Sequence, residues 1–409
     1  MPNTAPLAGV RIIECSILGP GALTTHLVDL GADVIKIEPL GGDYVRQMTW
    51  PIVNGVSLMH LHINRGKRSM VVDLRTPEGV TIIKDLARDA DAVIEGMRPG
   101  GLAKRGLGYD DLRAVNPRIV FCSISGYGTT GPYRDLPSHG IAFDAWAGLV
   151  TPEIHDGFSA IPEHPSIGMH AGPLFGAFGV VSAILGARAT GRGCEFEVAQ
   201  SDAAASMDWL RSETWKAYER PQTEVTGNPS DDFERRAPGT AGMRDGVRYQ
   251  FYATADGGHV LFMASEQSFW RNFCDGLERL DLFERWPGKQ YGDHAVGNDE
   301  LHTVLRDIFL TRSAADWIEF GRQHDAPIAP VNTPKTLADD PQFQARFEWT
   351  SIDETGAAML PTPLKFTDTD LQRPTRAPDA GQHTDEILRS LLDYDDATIA
   401  GLRSAGTIA

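Results

Sequence analysis

Cysteine is scarce in this 409-residue chain, and the four present, Cys15, Cys122, Cys194 and Cys274, stand far apart without a CxxC pair. Such spacing argues against a disulfide scaffold or a thiolate zinc site and fits a reducing, cytoplasmic setting. HExxH is missing, and His60 and His62 in "MHLHIN" have no acidic or cysteine companion nearby, so no metal site is expected. A serine nucleophile elbow, GxSxG, is missing around Ser123 and Ser125. The start, "MPNTAPLAGV", lacks a basic region followed by an apolar stretch, so a secretory leader is not expected. Positive charge is in deficit as well. With 38 Lys and Arg against 55 Asp and Glu, the formal charge is −17, which makes nucleic acid an unsuitable partner.

One long apolar run stands out: "SIGMHAGPLFGAFGVVSAILGA", residues 166 to 187, with no ionisable group between His170 and Arg188. A membrane span needs about 20 apolar residues, and this stretch falls short while carrying Gly172, Gly176, Gly179, Gly186 and Pro173. It reads as a buried core helix, and no membrane association is expected. Pro173 suits the first turn of that helix, where its missing N–H leaves nothing unpaired. Met169 and His170 then fall in the loop before the N-terminus, where backbone N–H groups and the helix dipole favour an anion.

The composition, 42% hydrophobic and 23% charged, is that of an ordinary folded chain, long enough for two domains. "VRIIECS", "GPGALTTHLVDLGA" and "DVIKIEP" form a strand, helix, strand pattern, and further units follow through "SMVVDL", "TPEGVTIIKDLARDA", "DAVIEGM", a short helix over 109–115 and "RIVFCSISG". The fold class is α/β, with a parallel, Rossmann-like sheet. Glu38 at the end of the second strand invites a dinucleotide reading, but GxGxxG fails at Thr24. Between Asn64 and Arg105 nine Lys or Arg face six Asp or Glu. This locally basic segment reads either as solvated helix faces or as a site for a phosphorylated small molecule. Residues 220–247 are rich in Gly, Pro and charge and read as a linker or mobile loop, followed by a hairpin closed by Ala-Asp-Gly-Gly.

Eight phrases, "PLAGVRIIECS...GPG", "LGADVIKIEPLGGD", "NRGKRSMVVDLRTPEG", "EGMRPGGLAKRGLGYDDLRAVNPRIVFCSISGYGTTGPY", "ATGRG", "YATADGGHV", "APIAPVNT...DDPQF" and "GQHTDEIL", run in order from residue 6 to 388. Together they resemble the class III CoA-transferases, the group that includes formyl-CoA transferase, carnitine CoA-transferase and α-methylacyl-CoA racemase. The resemblance implies a ring-shaped chain in an interlocked dimer, with a large domain over 1–205, a linker and mobile loop over 206–247, a small α+β domain over 248–325 and a C-terminal segment over 326–409 that returns to the large domain. It also gives the basic segment a purpose, because coenzyme A carries a diphosphate and a 3′-phosphate. Val72 and Arg75 fall where the family holds adenosine. Gly96, Met97, Lys104 and Arg105 fall where it lines the pantetheine and phosphates, although Gly96–Met97 replaces the family's usual Asn-Phe. Coenzyme A and acyl-CoA are then substrates, with no permanently bound cofactor.

In the transferases an aspartate attacks the acyl-CoA thioester, forming a mixed anhydride and releasing CoA thiolate. Counting back from "TGRG", which begins at Thr190, that aspartate falls on Met169, and a thioether cannot form the anhydride. His139 matches the racemase-type histidine, while the Asp that normally follows it is Gly140. Three explanations stay open. A related Asp-bearing chain supplies the carboxylate, in an interlocked heteromer rather than a homodimer; His139 or His170 serves another acyl-CoA reaction, such as isomerisation, racemisation or dehydration; or a nearby acid, Asp144 or Glu163, replaces the aspartate. A non-catalytic CoA-binding subunit is a further alternative. The expected partners are an acyl-CoA and a carboxylic acid, and "APGTAGM", residues 237 to 243, reads as a lid.

Overall fold

The computed structural model describes residues 5–48, 51–225, 246–290, 292–369, 371 and 373–409. The proposed lid lies outside them. The described chain divides into two compact units, one comprising 1–208 with 347–409 and the other 209–346.

The first unit is built on six parallel strands: β1 (Arg11–Cys15), β2 (Asp33–Glu38), β3 (Arg68–Val71), β4 (Ala92–Glu95), β5 (Val120–Ser125) and β6 (Glu195–Ala199). Their order across the sheet is β6-β5-β4-β1-β2-β3. This is the doubly wound dinucleotide-fold order, in which the chain reverses direction between β1 and β4. The strands β1 to β5 are buried almost throughout because helices cover both faces of the sheet. On one face Ile13, Ile35 and Phe121 pack with Ile82 and Leu86 of α3 (Pro77–Ala87), Leu112 of α4 (Tyr109–Val115) and Ile387 of the helix Thr384–Leu392. On the other, Ile12, Val34 and Ile94 meet Leu23 and Leu27 of α1 (Ala22–Val28) and Val180 and Ile184 of α6 (Ile167–Thr190). Each Ile or Leu fully withdrawn from water contributes about 2 kcal/mol. The start of α3 follows its sequence signals, with Thr76 Oγ1 accepting from Gly79 N at 3.0 Å and Pro77 in the first helical position.

Two expectations about the apolar run are corrected. The helix α6 begins at Ile167, so Met169 and His170 lie in its first turn and Pro173 sits inside it. The reason is a borrowed cap. Asp144 in α5 (Ala142–Trp146) accepts from Gly168 N at 3.0 Å, so the helix starts earlier than its own sequence signals. Nor is the helix buried all round: nine of its 24 residues are buried. A stripe of small residues faces inward. A Cβ at Gly168, Gly172 or Gly179 would press on Phe143, Gln200 or Phe196 at 2.8, 2.7 and 2.6 Å, and one at Gly176 would strike Leu23. Outward, Leu174, Phe175, Phe178 and Leu185 are exposed.

The second unit holds a three-stranded antiparallel sheet, 249–253, 259–263 and 328–330 in that order. Its core is aromatic: Phe262, Trp270, Phe273, Phe309 and Trp317 are fully buried, their rings stacked or tilted against one another. Part of the stretch expected as a linker, Trp209–Tyr218, is a helix, and the rest of it from 226 to 245 lies outside the described residues.

Candidate active site

Doubly wound sheets bind ligands beyond the carboxyl ends of their strands, at the reversal point. Two cavities open there. The larger, about 850 Å³, spans the ends of β1, β2, β3 and β4, and Val72, Arg75, Gly96, Met97, Lys104 and Arg105 all line it. The smaller, about 280 Å³, lies toward β5 and is lined by Met169, His139, Gly140, Gln200, Arg98 and Arg134 among others. Ile17, Gly96, Met97, Arg98 and Pro99 line both, so the two share one wall.

That wall is held by a carboxylate. Glu95, the last residue of β4, accepts from Leu102 N at 2.6 Å through one oxygen and from Ser123 Oγ at 3.2 Å through the other. The turn 96–102 is thereby closed onto the sheet. Gly96 fits because the chain after β1 passes close by: a Cβ there would lie 2.5 Å from Ser16 Cβ and 2.8 Å from Pro20 Cβ. In this chain the family's side-chain amide has no room at that position. Gly126, just past β5, admits the His139 loop in the same way, since a Cβ would collide with Ser138 Oγ and lie 2.9 Å from Phe143.

Electrostatics sort the remaining groups. Arg75 donates to Asp73 at 2.8 Å through both Nε and Nη2, and those bonds hold the Asp73 carboxyl down at about 2. Lys104 and Arg105 are exposed at the rim. Cys15 ends β1 beside the large cavity, but burial together with Glu14 and Glu95 pushes its thiol up to about 12, so it carries no thiolate at neutral pH. In the small cavity Met169 is half-buried, and its Cε lies 3.6 Å from where a Cβ would stand on Gly19. His139 is exposed. Arg98 and Arg134 line the cavity with no carboxylate partner among the described residues.

The acids proposed to replace the aspartate do not meet Met169. Asp144 is fully buried, caps α6 and lies 3.6 Å from His164 Nε2, while Glu163 is exposed, and neither lines the small cavity. Asp135, in the loop before His139, does line it. Nothing in its spacing separates Asp135 from an ordinary loop acid, so no sequence signal marks it. His60 and His62 stand apart from both cavities. His60 bonds Asn64 Nδ2 at 3.0 Å and His62 bonds Arg65 Nη1 at 2.9 Å within helix α2 (Leu58–Asn64) and its C-cap.

Beneath the ends of β1 and β2 lies a buried ionic cluster that sequence reading missed. Glu14 pairs with Lys67 at 2.7 Å and Lys36 at 3.4 Å, Lys36 reaches Asp43 at 3.0 Å, and Glu38 holds Arg46 at 2.7 Å. Charges balance, three against three. Burial opposes ionisation of Glu14, but Lys67 and Lys36 outweigh it and hold its carboxyl below the usual range. Burial also dominates at Lys67, where it exceeds the help from Glu14 and pulls the ammonium down to about 8. Lys67 Nζ donates to Gly21 O at 2.8 Å and Lys36 Nζ to Ser16 O at 2.7 Å, so the cluster fixes the loop after β1 that floors both cavities.

A doubly wound sheet with cavities at its reversal point is the arrangement in which open α/β folds bind their ligands. The model of CoA-transferase family III matches residues 7–384, and the chain belongs to that family, whose members use CoA thioesters as substrates. It is 30% identical to the human succinyl-CoA:glutarate CoA-transferase over 100% of this chain and 91% of that one. It is 28% identical to the succinyl-CoA–L-malate CoA-transferase beta subunit of Chloroflexus aurantiacus, over 99% of both. Among solved structures, a CaiB/BaiF family protein from Brucella suis superposes with a TM-score of 0.74 at 27% identity, covering 95% of this chain and 99% of its own.

Proposed function

We propose that this chain is a subunit of a class III CoA-transferase that moves CoA between an acyl-CoA and a carboxylic acid, lacks its own nucleophile, and works with a related chain that bears the aspartate. Met169 on the wall of the small cavity carries the reading: it stands at the aspartate position and offers no oxygen. The large cavity takes the adenosine, phosphates and pantetheine beside Val72, Arg75, Lys104 and Arg105, and delivers the thioester past the shared wall. In the partner-supplied step the carboxylate attacks the acyl carbonyl, the C–S bond breaks and CoA leaves as thiolate. The thiolate then attacks the aspartyl carbonyl, releasing the donor acid and leaving an aspartyl-CoA thioester. The acceptor acid reverses the sequence. Arg98 and Arg134, with no carboxylate partner among the described residues, supply positive charge for carboxylates entering and leaving. The exposed Leu174, Phe175 and Phe178 of α6 give a partner chain an apolar face to cover, as the interlocked arrangement requires. That one relative is named a beta subunit supports the heteromeric form.

Co-expression with a related Asp-bearing chain, size-exclusion chromatography and a CoA-transfer assay test this. The complex is expected to elute together and transfer CoA, with the isolated chain inactive. Full activity from the isolated chain overturns the proposal. His139 beside Met169 supports a second reading, proton transfer at the acyl α-carbon. For that reading, the α-proton of a bound acyl-CoA would exchange with deuterated water, and exchange would stop in His139→Ala.

A further inference from the structure

Of the buried polar side-chain atoms that lack a partner among the described residues, one belongs to a residue of the small cavity: Gln200 Oε1. Gln200 opens helix α7 (Gln200–Met207) and is 4% exposed. Its position is built. Gly172 of α6 passes so close that a Cβ there would stand 2.7 Å from Gln200 Cγ, and a Cβ on Gly168 would stand 3.0 Å from its carbonyl oxygen. The glycine stripe therefore clamps the stem, and the amide is carried toward the loop after β1, with Oε1 2.8 Å from the Cβ position of Gly19. The Met169 methyl lies 3.6 Å from that same point.

A buried carbonyl oxygen without a donor is a liability that a fold retains poorly unless something else pairs with it. Of the other polar groups lining this cavity, the guanidinium groups of Arg98 and Arg134 suit carboxylates, and the hydroxyls of Ser125, Tyr127 and Ser138 leave Gln200 Oε1 without a partner among the described residues. Gln200 asks for the opposite, a neutral N–H or O–H donor. We propose that Gln200 is a specificity-determining residue, and that its Oε1 accepts a hydrogen bond from a hydroxyl on the acyl group, close to the reacting carbonyl. The substrate class is thus a hydroxyacyl-CoA or hydroxy acid in preference to its unsubstituted counterpart. This rests on the CoA-transferase reading, which places the thioester beside Met169. The pantetheine amides are the other source of an N–H, and titration with CoA alone separates them from a hydroxyl on the acyl group. A site whose acceptor is left unpaired by the deoxy analogue discriminates strongly against it.

The full chain, with any partner that co-purifies, is titrated calorimetrically with CoA, with succinyl-CoA and malyl-CoA, and with butyryl-CoA and 3-hydroxybutyryl-CoA. The expected result is at least one pair in which the hydroxy form binds about tenfold more tightly, with that ratio falling to about one in Gln200→Met and the affinity for CoA unchanged. No preference in either pair overturns the inference using the wild-type chain alone, so it stays falsifiable even if the variant folds poorly. Equal weakening of CoA and all its esters in a variant of unchanged melting temperature assigns the donor to pantetheine and also overturns it. If CoA itself does not bind, the CoA-transferase reading fails and takes this one with it; if CoA binds without discrimination, only the hydroxyl assignment falls.

Discussion

The Met169 sulfur lies 3.6 Å from where a Cβ would stand on Gly140. These are the two positions at which the family resemblance expects acids, one for the transferases and one for the racemases, and here they face each other across the small cavity with no carboxylate on either. Gly140 also holds a φ of +50°, a left-handed conformation that a side chain there would strain. Both positions therefore belong to one surface, and in the function proposed above its carboxylate comes from a partner chain.

Met169→Asp tests whether the rest of the surface is competent. Aspartate is smaller than methionine and opens toward Gly140, so it fits without moving the backbone. If the proposed function holds, the variant gains CoA transfer by itself, with an enzyme-bound ester that hydroxylamine cleaves. A folded variant that binds CoA yet forms no such ester would show that more than the nucleophile is missing.

How much of this was legible in the sequence follows from what each feature depends on. The strands and the α3 cap were legible because Val and Ile runs and a Thr-Pro-Glu start are local signals. The start of α6 was not, because its cap is Asp144, more than twenty residues upstream, and no local residue announces it. Val72, Arg75, Gly96, Met97, Lys104 and Arg105 were picked out by matching phrases, and the structure gathers all six around the large cavity. The ionic cluster was hidden because Glu14, Lys36 and Lys67 each read as ordinary polar positions in or beside a strand. Only the parallel pairing of β1 with β2, and the fold of the loop before β3, bring them together.

Asp144 has a capping role rather than a chemical one. Asp144→Ala removes a charged acceptor at a helix N-terminus and is expected to lower stability by about 1–2 kcal/mol. CoA affinity should hold within twofold, because the residue lines neither cavity. Urea unfolding alongside CoA titration separates the two effects, and loss of CoA binding at unchanged stability would contradict the capping role.

Glu14→Gln leaves Lys67 and Lys36 with a neutral partner in a site closed to water. Breaking one member of a buried pair destabilises by about 3–5 kcal/mol. Because Lys67 and Lys36 also anchor Gly21 O and Ser16 O, the loop that floors both cavities is expected to loosen. Hydrogen exchange of the amides from 16 to 21 should quicken more than that of the second unit. Uniform quickening across the chain would mean that the cluster supports global stability alone.

The same neighbourhood sets an acid limit on stability. Burial and Arg46 bring the His60 imidazole down to about 4, while burial and Arg65 do the same at His62. An imidazole in the unfolded chain titrates near 6.5. Between those values the unfolded chain binds more protons than the folded one, so stability rises with pH from about 4 to 6.5 and this contribution levels off above. Glu14, whose carboxyl sits below its usual range, adds a loss only as the pH falls under about 4.5. For His60 alone the loss between pH 7 and pH 5 is about 2 kcal/mol. His60→Gln keeps an acceptor for Asn64 but cannot take a proton, so its urea midpoint should fall less than that of the parent chain over the same interval. An identical fall in both would place the acid sensitivity outside His60.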